Sequence, residues 1–397
     1  MIRRLALYIT LFFSCLIGQA YADELRFGFT GPLTGQNAFL GNEAVRGIRL
    51  GFERINNRGE LNYRVSLFPL DDQYEPSKTV PQVERLIENV GVKALIGSIG
   101  TPTNLATLDT LAKHGIPLIT PLSGAKSLRA ERAAPFIFNV RASYTDEVYF
   151  LINTLTKIYN IRPDEIAIFA QKDSYGDAGL SSAMQALSQA GLKDPTSVLQ
   201  IRHPRNNTEV DHVVADILGV FPIPKAIIMV STYETTSNII ERLAQFDIHP
   251  LYATLSLSGL EAISLRTKNT SCNIIISKTV PPLTQSDSPL VKQFLEDMAK
   301  SGDTLPPTTI QFESYINALV VEQALLPLKG MPTSQAIETS LKQLTEDNKY
   351  NQSESILQFF NQNKQRLWIQ LIGNGFSKDM GAEHSMTPSH SNRDLTD

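Results

Sequence analysis

The chain has 397 residues, 42% of them hydrophobic and 19% charged, and a formal net charge of −4. This composition excludes global disorder and leaves enough chain for two packed lobes. It also excludes a basic field able to hold a nucleic acid backbone, and the mixed charges form neither an acidic tail nor a polybasic anchor.

Residues 1–22 read as a targeting segment. Arg3 and Arg4 start it, LALYITLFFSCLIG is its apolar middle, and Ala20-Tyr21-Ala22 is a small-x-small cleavage site before Asp23. The apolar run is short for a membrane span, so removal is expected over retention as an anchor. Of the two cysteines, Cys15 lies in this segment and Cys272 in the body, so no internal disulfide is expected after cleavage. Cys15 is the alternative site for a lipid, although Phe12-Phe13-Ser14 fits a lipoprotein signal poorly. Cys272 has no activating histidine or acid nearby and reads as a buried structural thiol.

From Asp23 onward strand-like and helix-like patterns alternate. Leu25–Phe29 is a strand, Thr30–Gly35 a turn-rich loop, and Asn42 caps a helix with Ala44, Val45, Ile48, Phe52 and Ile55 on its apolar face. Tyr63–Leu70 is the next strand. It ends at Asp71-Asp72, which reads as a solvated strand end rather than a catalytic carboxylate pair. Ser77 opens a helix with Val80, Val83, Leu86, Ile87 and Val90 on one face. Ala94–Ile96 and Ile116–Ile119 are short strands on either side of a single helix. Small polar loops follow them at Gly97–Thr101 and Thr120–Gly124. Thr101-Pro102 reads as an N-cap with proline at the first helical position. This is either an ordinary cap or a seat for an anion such as a carboxylate, because parallel α/β sheets bind ligands outside the carboxyl ends of their strands. A strand at Pro135–Val140 completes a β-α-β series, which asks for a parallel sheet covered on both faces.

RASYTDE (Arg141–Glu147) interrupts the rhythm and reads as a first crossing between lobes. The series then restarts, with strands at Ile166–Phe169, Val198–Ile201, Ala226–Val230, Leu251–Thr254 and Asn273–Ser277. Between them lie the loop Gln171–Gly176 and helices at Leu180–Ala190, Val210–Leu218, Thr235–Phe246 and Leu260–Leu265. Val280-Pro281-Pro282-Leu283 is a second crossing, since a Pro-Pro pair ends a sheet ladder. Helices at Leu290–Lys300, Ile310–Leu325 and Ser334–Leu344 return to finish the first lobe. A hairpin of Ile356–Phe360 and Leu367–Ile372 around Asn361–Gln365 makes a third crossing. Residues 381–397 are polar and aperiodic, as in a disordered tail. The expected organisation is a signal over 1–22, lobe one over 23–142 plus 282–351, and lobe two over 143–281 plus 352–380.

Catalytic and cofactor signatures are missing: no G-x-S-x-G, H-E-x-x-H, G-x-G-x-x-G or Walker loop occurs. The histidines are scattered, none pairs at i, i+4, and each reads as a surface or loop residue rather than a metal ligand. No enzyme activity, cofactor or metal is expected.

Six segments in order carry a family resemblance: FGFTGPLTG with GNEAVRGIRLGFERIN, LDDQYEPSKTV, ALIGSIG with IPLITPLSGA, FNVRASYTDE, KDSYGDAGL and ESYINALVVEQAL. Over about Leu25–Phe376 the chain resembles the substrate-binding proteins of branched-chain amino acid ABC transporters. The resemblance implies an α/β fold of two Rossmann-like lobes with parallel sheets joined by three crossovers, the type I periplasmic-binding fold. It implies a periplasmic monomer that closes on a small amino acid, carboxylate or amide and delivers it to an ABC permease in the membrane. The alternative is a sensing role through a separate receptor. Gly100-Thr101 matches the family's hydroxyl-and-backbone carboxylate contact. The second contact loop matches Leu122-Ser123-Gly124, with Gly124 at the family's threonine and Ser123 placed to supply the hydroxyl. Tyr175 in SYGDAG matches a lid tyrosine, and a further one falls at Thr232 or Tyr233. Phe39 or Leu40 covers the ligand's side-chain end, and Tyr144 completes the expected lining. The family's acid for the ligand ammonium falls at Leu255 or Ser256, with Glu261 shifted along the chain. Either another acid such as Asp146 serves, or the ligand is not a plain amino acid.

Overall fold

The computed structural model describes residues 23–130, 135–285, 288–346, 367–373 and 376–380. The targeting segment, residues 347–366 and the tail from 381 lie outside them, and with them the Ile356–Phe360 half of the expected hairpin.

The first series builds a five-stranded parallel sheet. β1 (Glu24–Gly31) buries Leu25, Phe27 and Phe29 completely and sits between β2 (Arg64–Asp71) and β3 (Ala94–Ile96). β4 (Leu118–Ile119) and β5 (Ile137–Phe138) extend the order to β2-β1-β3-β4-β5. α1 (Ala38–Arg58) and α2 (Pro76–Arg85) follow β1 and β2. The expected Asn42 cap is not formed. α1 begins four residues earlier, and the Asn42 amide instead donates to the carbonyls of Leu33 and Ala38. The single helix expected after β3 is two: α3 (Thr101–Ala106) and α4 (Leu108–His114). They part at Thr107, whose hydroxyl donates to the Asn104 carbonyl and competes with the helical ladder. The residue preceding α3 is Gly100, so Thr101 is the first helical residue rather than the cap.

After the first crossing, α5 (Tyr144–Asn153) is opened by a Ser143–Asp146 capping box. β6 (Ile166–Gln171), α6 (Ser174–Gln189), β7 (Gln200–His203), α7 (Asp211–Leu218), β8 (Ala226–Val230), α8 (Tyr233–Ala244), β9 (Leu251–Thr254), α9 (Leu260–Arg266) and β10 (Asn273–Lys278) follow. The Gln171–Gly176 loop is shorter than expected, because Asp173 accepts from the Tyr175 and Gly176 N–H groups and starts α6 at Ser174. β6 and β8 are buried along their whole length, as strands covered on both faces must be.

The chain then returns to the first sheet as α10 (Pro289–Ser301), α11 (Thr309–Leu325) and α12 (Ser334–Glu346). α11 is buried almost all round and packs directly on α1. A Cβ at Gly47 would stand 2.0 Å from the Gln311 carbonyl oxygen, so only glycine permits this approach. Finally β11 (Trp368–Gly373) pairs antiparallel with β10 and with β12 (Phe376–Met380), giving the order β12-β11-β10-β9-β8-β6-β7. Among the described residues the late hairpin is β11–β12, and the expected turn at Asn361–Gln365 lies outside them.

Candidate ligand-binding cleft

The loops leaving the carboxyl ends of the parallel strands of the two sheets meet one another, as the Phe39–Tyr233 and Arg205–Glu75 contacts show, and form the cleft. In lobe one, β3 leads to Gly97–Gly100 and β4 to Thr120–Gly124. A bridge between Ile99 and Leu122 holds the two loops side by side. The Leu122 N–H donates to the Ser98 carbonyl and the Gly100 N–H to the Leu122 carbonyl, at 3.0 and 3.3 Å. That pairing brings the Thr101 and Ser123 hydroxyls to 2.8 Å, both fully buried. The first-turn N–H groups of α3 have no carbonyl within the helix to bond and stand at the same place.

Tyr144, the first residue of α5, closes over this pair. Its N–H donates to the Gly124 carbonyl at 2.9 Å, and a Cβ on Gly124 would lie 2.7 Å from its ring. Gly124 is thus a contact surface for Tyr144, which accounts for glycine where the family carries threonine. Tyr175, in the first turn of α6, meets the Tyr144 ring at 5.1 Å between centroids. Both phenols are buried, and burial raises their pKa values. Ser123 stands beside the Tyr144 hydroxyl and Ser258 beside that of Tyr175, and each partly offsets the effect of burial.

At the cleft mouth Phe39 meets Tyr233 edge-on at 5.9 Å, and the Phe39 N–H donates to the Tyr233 hydroxyl at 3.4 Å. Leu40 is buried beside Gly259 of lobe two. Thr232 stands at the N-cap position of α8, makes no side-chain capping bond and is buried. The structure therefore gathers Gly100, Thr101, Leu122, Ser123, Gly124, Tyr144 and Tyr175 at one end of the cleft and Phe39, Leu40 and Tyr233 at the mouth.

Ser256 belongs to the hinge. Its N–H donates to Glu147 at 2.8 Å, and its hydroxyl accepts from Arg141. Arg141 also grips both oxygens of Glu313 on α11, and the Thr279 hydroxyl donates to the same carboxylate at 3.1 Å. Ser277 completes the chain by donating to Glu147 at 2.6 Å. Burial opposes the Arg141 charge, but Glu313 and Glu147 outweigh it and raise its pKa. The network ties the first crossing to the second.

The acids sort clearly. Asp146 is exposed and engaged in its capping box, so it does not face the cleft. Glu261 accepts the Thr309 N–H and hydroxyl, both at 2.7 Å, and so caps α11 from the other lobe. Glu147 is fully buried and keeps one oxygen without a partner. Asp72 is not the solvated strand end expected. It is fully buried, and that burial pushes its pKa up to about 6.

Sequence pattern does not point to the latch opposite the hinge. Arg205 bridges Asp173 of its own lobe at 3.1 Å and Glu75 of lobe one at 2.8 Å. Burial opposes its charge, but the two acids outweigh it and raise its pKa. Asn206 exchanges bonds with Asn37, Gln73 and Glu75. Neighbouring His203 is buried rather than exposed, with its pKa lowered by that burial, and stacks on His212 at 5.3 Å. Cys272 is buried, as expected, and burial raises its thiol pKa. Among the described residues no cluster of side chains could hold a metal ion, and no helix is long and apolar enough to cross a membrane. Two surface grooves of about 440 and 430 Å³ lie away from the cleft.

A family model described as periplasmic binding protein matches residues 24–375. The chain belongs to the periplasmic binding protein family. Leu/Ile/Val-binding protein homolog 7 of Brucella abortus is 21% identical over 320 residues, which cover 77% of this chain and 78% of that protein. The crystal structure of a possible leucine/isoleucine/valine-binding protein from Rhodopirellula baltica is 30% identical and superposes with a TM-score of 0.83, covering 91% of this chain and 97% of the other. An ABC transporter solute-binding protein from R. palustris, crystallised with benzoate, shares the fold at 15% identity and a TM-score of 0.72, covering 90% and 96%. This periplasmic binding protein thus has the type I fold expected from its sequence and a solute-binding rather than an enzymatic role. Its family places it outside the cytoplasm.

Proposed function

We propose that the protein captures a small carboxylate-bearing ligand between its lobes and delivers it to an ABC permease after its signal segment is removed. The observation that carries this reading is the buried Thr101–Ser123 hydroxyl pair at the strand ends of lobe one, covered by Tyr144 and Tyr175. Hydroxyls and orphaned helix N–H groups suit an anionic oxygen pair, and no cation is required to bind it. Hinge closure then assembles the site from both lobes. The benzoate complex of the R. palustris protein supports an acid without an ammonium as one ligand class for this fold. The names of the Brucella and Rhodopirellula proteins support branched-chain amino acids as the other. An ammonium would need the unpartnered oxygen of Glu147, since Asp146 faces solvent and Glu261 holds Thr309.

A thermal-shift screen against amino acids, short carboxylates and amides tests the proposal, because a ligand of the folded state raises the melting temperature by mass action. Binding of a carboxylate that is lost for its methyl ester supports it. Equal binding of acid and ester removes the carboxylate seat from the site.

A further inference from the structure

The loop that carries the cross-lobe latch hangs on a histidine. Arg205 reaches Glu75 at 2.8 Å. Asn206 accepts from the Asn37 amide at 2.8 Å and donates to the Gln73 carbonyl at 3.1 Å and to Glu75. Asn37, Gln73 and Glu75 all belong to lobe one, so two consecutive residues of lobe two grip it across the mouth. Residues 204–210 form neither helix nor strand, and side chains of lobe two hold them in place. His203 Nε2 and the Thr235 hydroxyl both bond the Asn207 carbonyl, the hydroxyl at 3.0 Å, and the Asn238 amide donates to the Thr208 carbonyl at 3.2 Å. A carbonyl only accepts, so Nε2 carries the imidazole proton and Nδ1 is bare.

The seated His203 ring is badly placed to take a second proton. It is 1% exposed and lies between Phe169 of β6, at 5.7 Å, and His212 of α7, nearly parallel at 5.3 Å. Nδ1 is buried and has no partner within the chain. A proton there would be a buried donor without an acceptor, on a cation without an acid. The neighbouring charges give no relief. His212 faces the ring and opposes a positive charge on it. Arg205 is turned to Asp173 and Glu75, Arg202 to Asp177, and Asp211 to Arg242. Burial accordingly holds the His203 pKa below the ordinary 6.5.

We infer that His203 is an acid-sensitive release for the latch: a proton on Nδ1 expels the ring, the Asn207 tie goes with it, and Arg205 and Asn206 let go of lobe one. The inference goes beyond the ligand reading of the cleft and holds whatever the solute. Its sign follows from linkage. The released ring takes a proton that the seated ring resists, so the latch is at full strength above the ordinary imidazole range. It weakens as pH falls below that range toward the pKa of the seated ring.

The test is spin-label distances between the lobes of the full mature chain, with labels at Glu84→Cys and Gln185→Cys, both exposed, recorded without ligand from pH 7.5 to 5. The ratio of open to closed lobes is expected to rise by up to about tenfold per pH unit below 6.5, as for one linked proton. His203→Gln keeps a donor for the Asn207 carbonyl and takes no proton, and is expected to stay closed throughout. Arg205→Ala is expected to be open already at pH 7.5 and to lose the response. A distribution that does not change with pH overturns the inference. So does a response that survives His203→Gln or Arg205→Ala, one that is abolished by His212→Gln, or opening that coincides with loss of far-ultraviolet circular dichroism. Should His203→Gln fail to fold, nitrogen-15 titration of the imidazoles in the unmodified protein decides. A His203 that stays neutral while the lobes open, or is protonated while they stay closed, overturns the assignment.

Discussion

The hydroxyls of Thr101 and Ser123 meet at 2.8 Å although 22 positions separate the two residues. Neither is exposed, so the pair is held by the backbone pairing of the two loops rather than by solvent. Thr101→Ala is expected to weaken carboxylate binding by about 1–3 kcal/mol, the range for a hydrogen bond to a charged group. Calorimetry showing wild-type affinity in this variant would remove Thr101 from the site.

Arg205 reaches across the cleft mouth to Glu75 while anchored on Asp173. Both side chains of the cross-lobe pair keep some solvent access, so about 1 kcal/mol of closed-state stability is at stake. Arg205→Ala should open the lobes and speed ligand release, and added salt should do the same to the unmodified protein. Spin-label distances across the mouth read the first effect. An unchanged distance distribution with and without ligand would mean that the latch does not set closure.

Asp72 yields a pH prediction of unusual sign. Its folded-state pKa is raised to about 6 from 3.8, chiefly by burial, so the folded chain holds this proton more tightly than the unfolded chain. The stabilisation is therefore full below the unfolded value and is lost as pH rises through the folded one. Asp72→Asn keeps an acceptor for the Tyr74 N–H and lets Thr79 donate to the Glu75 carbonyl alone. The variant should gain up to about 3 kcal/mol relative to wild type between pH 4 and 7. Denaturant midpoints across that range measure it, and a pH-independent difference would contradict the shift.

Glu313→Gln tests the hinge. It leaves the Arg141 guanidinium buried against a neutral partner, a change that costs about 3–5 kcal/mol in comparable pairs. The melting temperature should fall, and both lobes should unfold together because the network joins the two crossings. Two separated transitions in wild-type calorimetry would show that the hinge does not couple the lobes.

The lobes themselves were legible because central strands such as Ile166–Phe169 and Ala226–Val230 are uninterrupted apolar runs, and helices between them keep a 3.6-residue stripe. Helix starts were less so. Asn42 has the right side chain for a cap but spends it on Leu33 and Ala38, and Asp173 starts α6 inside what reads as a loop. Within the cleft, Thr101-Pro102 reads equally as an ordinary helix cap, and Ser123 is reached only through the family resemblance. Arg205 does not stand out, since it acts through a partner more than a hundred positions away. Asp72 is misjudged because it holds a left-handed turn that no periodicity encodes: two consecutive acids look solvated until that turn is known.

The dense seat of α11 on α1, with Gly47 and Gly51 allowing backbone approach, has a consequence for biogenesis. The N-terminal half of the molecule cannot cover its own sheet until residues past Thr309 have emerged. The stretch from Tyr144 to Lys278 holds most of its sheet in one continuous run and can consolidate earlier. During export the segment made first is thus the one completed late, and a chain interrupted before Thr309 would present the naked groove of α1 to chaperones.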